Sequence, residues 1–398
     1  MSVRSDSAVA APVTHASVTA HAVARVASVD ILRGLVMVLM ALDHVRDFFT
    51  DVRFDPLDLS QTSIPLFLTR WITHFCAPTF VLLAGVSACL TGRRCTRAEL
   101  SRFLLTRGLW LVVLEVTLMS LVWTFNVRYD HGVFLQVIWA IGVSMIVLSA
   151  LVYLPVPQIA VLSLAIIFGH NLLDGIEPQS LGAWAPLWVL LHVQQPIPYG
   201  FVAYPLIPWI AVMSLGYCIG TLFGFERERR KQWFLYLGAG SLTLFVLLRA
   251  TNVYGDPADW TLQSTTVRTL LSFVNVNKYP PSLQYLLITL GAAFLSLAGL
   301  ESARGKFIEV VRTFGRVPLL FYVLHIALAH LAAGIIALAT GFGMALFTGD
   351  FMQVPQQWGF GLPIVYLAWL LVIATLYPAC RWFAAVKRRR DDWWLSYM

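Results

Sequence analysis

The chain has 398 residues, of which 58% are hydrophobic and 12% charged, with a mean hydropathy of +0.73. A soluble domain carries about 25% charged residues, so a soluble globular enzyme is excluded and an all-α, polytopic membrane helix bundle is expected. The net charge of +7 does not point to nucleic acid, because the basic residues gather on alternate loops and the tails and form no single patch.

Residues 1–27, rich in Ala, Val, Ser and Thr, lack the compact apolar run of a signal peptide and read as a flexible cytoplasmic tail. Apolar stretches long enough to cross a bilayer then recur about ten times. They lie near 29–49, 66–91, 103–124, 133–153, 157–174, 201–223, 233–251, 283–300, 317–340 and 362–386. The ninth is followed by Gly341 and Gly343 and reads either as one helix or as two shorter ones. Residues 28–386 thus form one membrane domain. Residues 387–398, KRRRDDWWLSYM, form a basic and aromatic tail suited to a membrane surface.

Basic clusters stand at Arg93 to Arg97, Arg227 to Lys231, Arg304 to Arg316 and Lys387 to Arg390, whereas loops such as DVRFDPLDLS are acidic or neutral. This positive-inside pattern predicts an even number of spans and cytoplasmic N- and C-termini. It places the loops near 171–200, 252–282 and 341–361 outside. The five cysteines have neither zinc-site nor disulfide spacing. No Walker loop, GxGxxG turn or HExxH is present, so neither a metal nor a permanently bound cofactor is expected.

Polar groups inside the spans carry the functional signal, since a charge at the bilayer centre costs about 2.5–3.5 kcal/mol on insertion scales. In SVDILRGLVMVLMALDHVRDFF, residues Asp30, Arg33, Met37, Met40, His44 and Asp47 form one helical stripe. Arg33 and His44 are about three turns and ~16 Å apart. Arg33 sits near the inner edge, either as a snorkelling anchor or as a binding group. His44 lies in the outer third of the span. It is either satisfied by a neighbouring helix or acts as base, acid or nucleophile. Asp43 points about 100° away from His44 along the helix, so it is expected to fix a neighbouring segment more readily than the His44 ring.

His74 opens the second span at the same outer level, as a supporting or substrate-contacting group or as an interfacial residue. Glu115 is an intramembrane carboxylate that must be protonated or paired across helices. Asn275, Lys278 and Tyr279 precede Pro280-Pro281 at an outer helix start, where they can bind a hydroxylated or anionic substrate or simply form a turn. Arg316 lies at the inner edge of the ninth span. Tyr322 and His325, three residues apart, share a face there, as a packing pair or as part of a donor channel. Gly85 and Ser87, and the segment YPLIPWIAVMSLGYCIG, read as close-packing signals.

Taken together, SVDILRG with the following DH, HFCAPTFVLLAG, YPLIPWIAVMSLGYCIG, VNKYPPSLQYLLITLG and GRVPLLFYVLH resemble bacterial membrane proteins related to heparan-alpha-glucosaminide N-acetyltransferase. The resemblance runs from about 28 to 386. Arg33, Gly34 and His44 also resemble the first-helix pattern of the wider integral membrane acyltransferases. In the lysosomal enzyme the active histidine follows the first span. Here no histidine stands between His44 and His74, so its role passes to His44 through the wider pattern.

The resemblance implies acyl transfer from cytoplasmic acetyl-CoA, as co-substrate, to an amine or hydroxyl of an extracytoplasmic saccharide in a bacterial inner membrane. Within it, His44 is the expected base, with Asp43, His74 and Glu115 as further candidate catalytic groups. Arg33 and Arg316 suit CoA phosphates, with Tyr322 and His325 beside the donor. Asn275, Lys278 and Tyr279 suit the acceptor. The expected partners are acyl-CoA, a saccharide or glycolipid acceptor, the lipid bilayer and a second copy of the chain, with no nucleic acid. The competing class is a proton-coupled transporter or flippase using Glu115 and His325 as a relay. No matching pair of inverted, broken-helix halves supports it.

Overall fold

The structure is a computed structural model that describes residues 26–398 except 128, 130, 131, 345–353 and 391. The expected tail therefore lies, up to residue 25, outside the described residues, as does part of the expected outer loop 341–361. Each of the ten predicted spans is occupied by a helical segment.

The first is α1 (Ala27–Phe49). The second is a composite of α2 (Ile64–Trp71), a 3-10 turn (Ile72–Phe75) and α3 (Cys76–Gly92). Ser63 caps it by accepting from the Leu66 N–H at 3.4 Å, and Pro65 occupies its first turn, where no N–H is missed. The third comprises α4 (Arg97–Leu114), a π-helical turn (Glu115–Met119) and α5 (Ser120–Thr124). It starts at a reciprocal cap between Thr96 and Glu99. The fourth and fifth are α6 (Val137–Leu151) and α7 (Val156–Gly169).

A short helix α8 (Ala185–His192) lies in the 171–200 loop, ahead of α9 (Leu206–Ile219) and α10 (Arg227–Thr251). The 252–282 loop carries α11 (Thr266–Val274) and leads to α12 (Leu283–Leu300), capped by the Ser282 hydroxyl. The amphipathic α13 (Lys306–Arg316) precedes α14 (Pro318–Ala339) and α15 (Leu362–Arg389). The ninth span is thus one continuous helix.

Eight of these segments are long and apolar enough to cross a membrane. α6 is shorter, and α1 carries Asp30, Arg33, Asp43, Arg46 and Asp47. The lipid-facing surface is apolar, with Leu235, Tyr236, Val246 and Leu247 exposed on α10 and Leu367, Leu370 and Leu371 exposed on α15. α1, by contrast, is sheathed by protein on most of its sides.

Two glycine-mediated crossings set the depth of packing. A Cβ on Gly34 would stand 1.9 Å from the Val311 carbonyl oxygen, and one on Gly315 1.9 Å from the Asp30 oxygen, so α13 lies directly on the N-terminal half of α1. α3 and α9 meet in the same way at Gly85 and Gly216, the packing read from their sequences. Among the described residues, the departure from the all-α expectation is a small sheet of β1 (Val133–Leu135), β2 (Gln195–Ile197) and β3 (Gly200–Val202) in the order β1-β3-β2. β1 takes the first three residues assigned to the fourth span. Its Leu135 carbonyl accepts from the Ala203 and Tyr204 N–H groups, drawing Gln136 and Tyr204 toward each other.

Candidate functional site

A cavity of about 20 Å³ opens beside the C-terminal half of α1, lined by Asp43 and His44 from that helix, Thr73 and Cys76 from the second span, Gln136, Tyr204 and Lys278. His44 is the chemically distinctive wall. Its Nδ1 lies 2.7 Å from His325 Nε2 on α14, and the two rings stack at 5.0 Å. His325 is fully buried, and its Nδ1 stands 2.9 Å from the Phe321 carbonyl.

A carbonyl only accepts, so His325 Nδ1 carries the proton and, in the neutral ring, its Nε2 is the acceptor. His44 Nδ1 must then donate, which leaves the lone pair on His44 Nε2. The backbone of α14 thereby selects the tautomer of His44, as a carboxylate does in a hydrolase triad. Trp123 and Tyr322 pack edge-on to the His44 ring at 5.0 and 6.2 Å. The group that orients His44 thus comes from another span, and it is an imidazole.

Asp43 is turned away from His44. It faces Arg46 at 3.0 Å and Arg70 at 3.3 Å, and Arg46 also reaches Asp47 at 2.6 Å. Two acids and two guanidinium groups balance one another, the arrangement that lets charge persist in a low-dielectric interior. Arg70, whose pair with Asp43 ties the second span to the first, also donates to the Thr73 hydroxyl of its own span at 2.9 Å.

Lys278 is 7% exposed and its Nζ lies 5.0 Å from the Tyr279 ring centroid. No acidic group lies within 4 Å of it among the described residues. The segment bearing it is rigidly held. Asp256 accepts from the Asn277 N–H at 2.8 Å and the Ser282 hydroxyl at 2.6 Å. Buried Arg249 donates to the carbonyls of Ala258, Ser272, Phe273 and Asn275. Burial pushes the Asp256 carboxyl above its ordinary range against these hydrogen bonds.

The other candidates are placed as follows. Arg33 is at the far end of α1, donating to the Ser87 hydroxyl at 2.7 Å and the Gly315 carbonyl at 3.2 Å. It therefore adjoins the end of α13 that carries Arg316, and the two arginines do share one end of the bundle. Tyr322 and His325 do not join them; both lie against His44, and the Tyr322 hydroxyl is buried without a hydrogen-bond partner. His74 is 1% exposed, packed against Tyr285 at 5.4 Å, and is neither interfacial nor part of the cavity lining.

Glu115 accepts from the backbone N–H groups of Gln136 at 3.3 Å and Trp139 at 3.0 Å. It caps the start of α6, accepting from N–H groups that the helix leaves without an internal partner, so its hydrogen bonds are made without a basic partner. Asn275 donates to the Leu57 carbonyl at 3.2 Å and serves the loop framework. Tyr279 packs against Tyr204 at 5.5 Å.

Sequence reasoning passed over Arg46, Arg70, Gln136, Tyr204 and Trp123. Arg70 had a readable signal, an arginine inside the second predicted span four residues before His74. The neutral residues had none. It also passed over His170, Asp174 and His192, which the fold gathers in the 171–200 region.

A family model described as heparan-alpha-glucosaminide N-acetyltransferase, catalytic, matches residues 25–249. That stretch contains α1, the second span and the residues Arg33, Asp43, His44, Arg70 and His74. No curated protein compared with the chain matches it.

Proposed function

The chain belongs to the heparan-alpha-glucosaminide N-acetyltransferase catalytic family, a multi-pass membrane protein of the acetyltransferase type, and from that premise we propose that it moves an acetyl group from cytoplasmic acetyl-CoA to an amine or hydroxyl of an extracytoplasmic saccharide, with His44 as general base. In this reading the protein sits in a bacterial inner membrane with both termini cytoplasmic. The observation that carries the proposal is the hydrogen-bond chain from the Phe321 carbonyl through His325 to His44. It leaves the lone pair on His44 Nε2, the form a general base needs.

The chemistry follows from that geometry. His44 Nε2 takes the acceptor's proton as its oxygen or nitrogen attacks the thioester carbonyl. The new C–O or C–N bond forms, the C–S bond breaks, and the proton passes from His44 to the departing CoA thiolate. Lys278, on the cavity wall, is the donor placed to meet the developing oxyanion or an anionic acceptor. Arg33, ~16 Å along α1 from His44, and Arg316 at the adjoining end of α13 hold the CoA phosphates, and the extended pantetheine arm covers that separation. The narrow cavity favours the two-carbon acetyl group over a long acyl chain.

The test uses purified protein in detergent, following CoA release with acetyl-CoA and a panel of amino sugars and neutral sugars. His44→Ala should lose at least roughly 100-fold in turnover while eluting as the wild type does. Full turnover by a folded His44→Ala protein overturns the assignment. Uptake of a metabolite into proteoliposomes without CoA turnover would support the transporter class instead.

A further inference from the structure

Away from the His44 cavity, three ligand-type side chains converge near the ends of α7 and α8. His170 begins the 3-10 turn that follows α7, Asp174 follows that turn, and His192 is the last residue of α8. One donor atom from each lies within 4.8 Å of the others. Both histidines are 2% exposed. Neither nitrogen of His170 has a hydrogen-bond partner, nor does His192 Nδ1. A buried imidazole with two orphaned nitrogens carries an uncompensated desolvation cost, which a ligand would remove.

The carboxylate is prepared for the same role. Asp174 Oδ1 lies 2.9 Å from His192 Nε2. Its Oδ2 accepts from the Asn171 amide at 2.8 Å, and Asn171 Oδ1 accepts from the Leu283 N–H at the start of α12 at 2.9 Å. An outer partner that orients a ligating carboxylate is a regular feature of metal sites.

We propose that His170, Asp174 and His192 form a binding site for a divalent transition metal, zinc in the first instance, that clips the 171–200 loop to the end of α7. Two imidazoles and one carboxylate are a zinc-type donor set with one position left for water. Adjacent ligands of a tetrahedral zinc lie about 3.3 Å apart for bonds of about 2.0 Å. Closing from 4.8 Å thus needs only side-chain rotation on fixed helix ends. The clip bears on the region around the cavity, because the loop it secures runs on into β2 and β3, whose pairing with β1 sets Gln136 and Tyr204 in place.

Untagged protein, stripped with EDTA and dialysed against zinc, is assayed for metal by mass spectrometry and for Tm. Wild type should retain one zinc per chain, lose several degrees of Tm on chelation, and show the visible absorption of tetrahedral cobalt when cobalt replaces zinc. His170→Gln and the partly exposed Asp174→Asn should each weaken zinc binding at least tenfold and make Tm insensitive to chelation. If His170→Gln does not fold, Asp174→Asn alone decides the matter. The proposal is overturned if wild type holds no stoichiometric zinc and its Tm ignores EDTA, or if Asp174→Asn binds zinc as tightly as wild type. Acyl-transfer activity does not enter either measurement.

Discussion

The crossing of α1 and α13 makes a sharp quantitative prediction through Gly34→Ala and Gly315→Ala. In each variant the new methyl group starts 1.9 Å from a backbone carbonyl oxygen, against an ordinary contact of at least 3.4 Å. The helices must therefore part by roughly 1.5 Å, because a backbone atom has no rotamer to escape into. Overpacking costs about 1–3 kcal/mol, and the rigidity of both obstacles puts these variants near the top, about 3 kcal/mol. Separation also strains the 3.2 Å bond from Arg33 to the Gly315 carbonyl, so KM for acetyl-CoA should rise where the α1–α13 end holds the donor. One parting of the helices relieves both clashes, so the double variant should cost less than the sum of the singles. Thermal unfolding in detergent and initial rates measure these effects. Gly240→Ala is the control: no atom lies within 4 Å of its Cβ, and alanine gains up to about 1 kcal/mol of helix propensity. Wild-type Tm and KM in both crossing variants would refute the close-contact reasoning.

Three further outcomes are expected. His325→Gln, which loses the ring that sets the His44 tautomer, should lower kcat at least roughly tenfold with acceptor KM within about twofold; steady-state kinetics decide, and an unchanged kcat would detach His325 from the chemistry. Glu115→Gln should cost about 1–2 kcal/mol of stability through its weakened cap on α6 yet leave turnover per folded molecule unchanged, so a large kcat loss at normal Tm would make Glu115 catalytic. Because the Asp256 carboxyl is raised above its ordinary 3.8 in the fold, the 252–282 loop should be most stable when that group is protonated. Its stability should decline as pH rises from 3.8 through the raised value and then level off. Proteolysis of this loop across that window should show the trend, and Asp256→Asn should abolish it.

The membrane architecture was legible because hydropathy reports it directly, and all ten predicted spans hold helical segments. α1 was found in the sequence although its five charged residues keep it from qualifying by composition, since its apolar residues are continuous between Arg33 and Asp43. α8, α11 and α13 were not found. Two are short and lie in loops, and α13 is amphipathic and packs on the N-terminal half of α1 without spanning. The site was legible residue by residue but not as pairs. His44 and His325 both stood out as histidines in apolar helices, yet their 2.7 Å contact joins positions 281 apart, and no local spacing encodes that. Glu115 was visible as a carboxylate in need of a partner. The partner is the start of a helix, a group that every sequence contains and none displays. His170 and Asp174 have the four-residue spacing of one helical turn, but the third member, His192, is supplied by a different helix.

The sheathing of α1 bears on how the protein is made. On emerging from the ribosome, α1 carries five charged side chains, and several of the groups that satisfy them do not yet exist. Ser87 is 54 residues behind Arg33, and Gly315 is 282 behind it. Within α1 itself, however, Asp30 pairs with Arg33 at 3.4 Å, and Arg46 pairs with Asp43 at 3.0 Å and with Asp47 at 2.6 Å, so the nascent helix brings most of its charge compensation with it. At roughly 5–20 residues per second, the contacts of Arg33 to Ser87 and Gly315 follow seconds to tens of seconds later. The pairs internal to α1 thus lower the cost of holding its charges in lipid until the rest of the bundle closes around it.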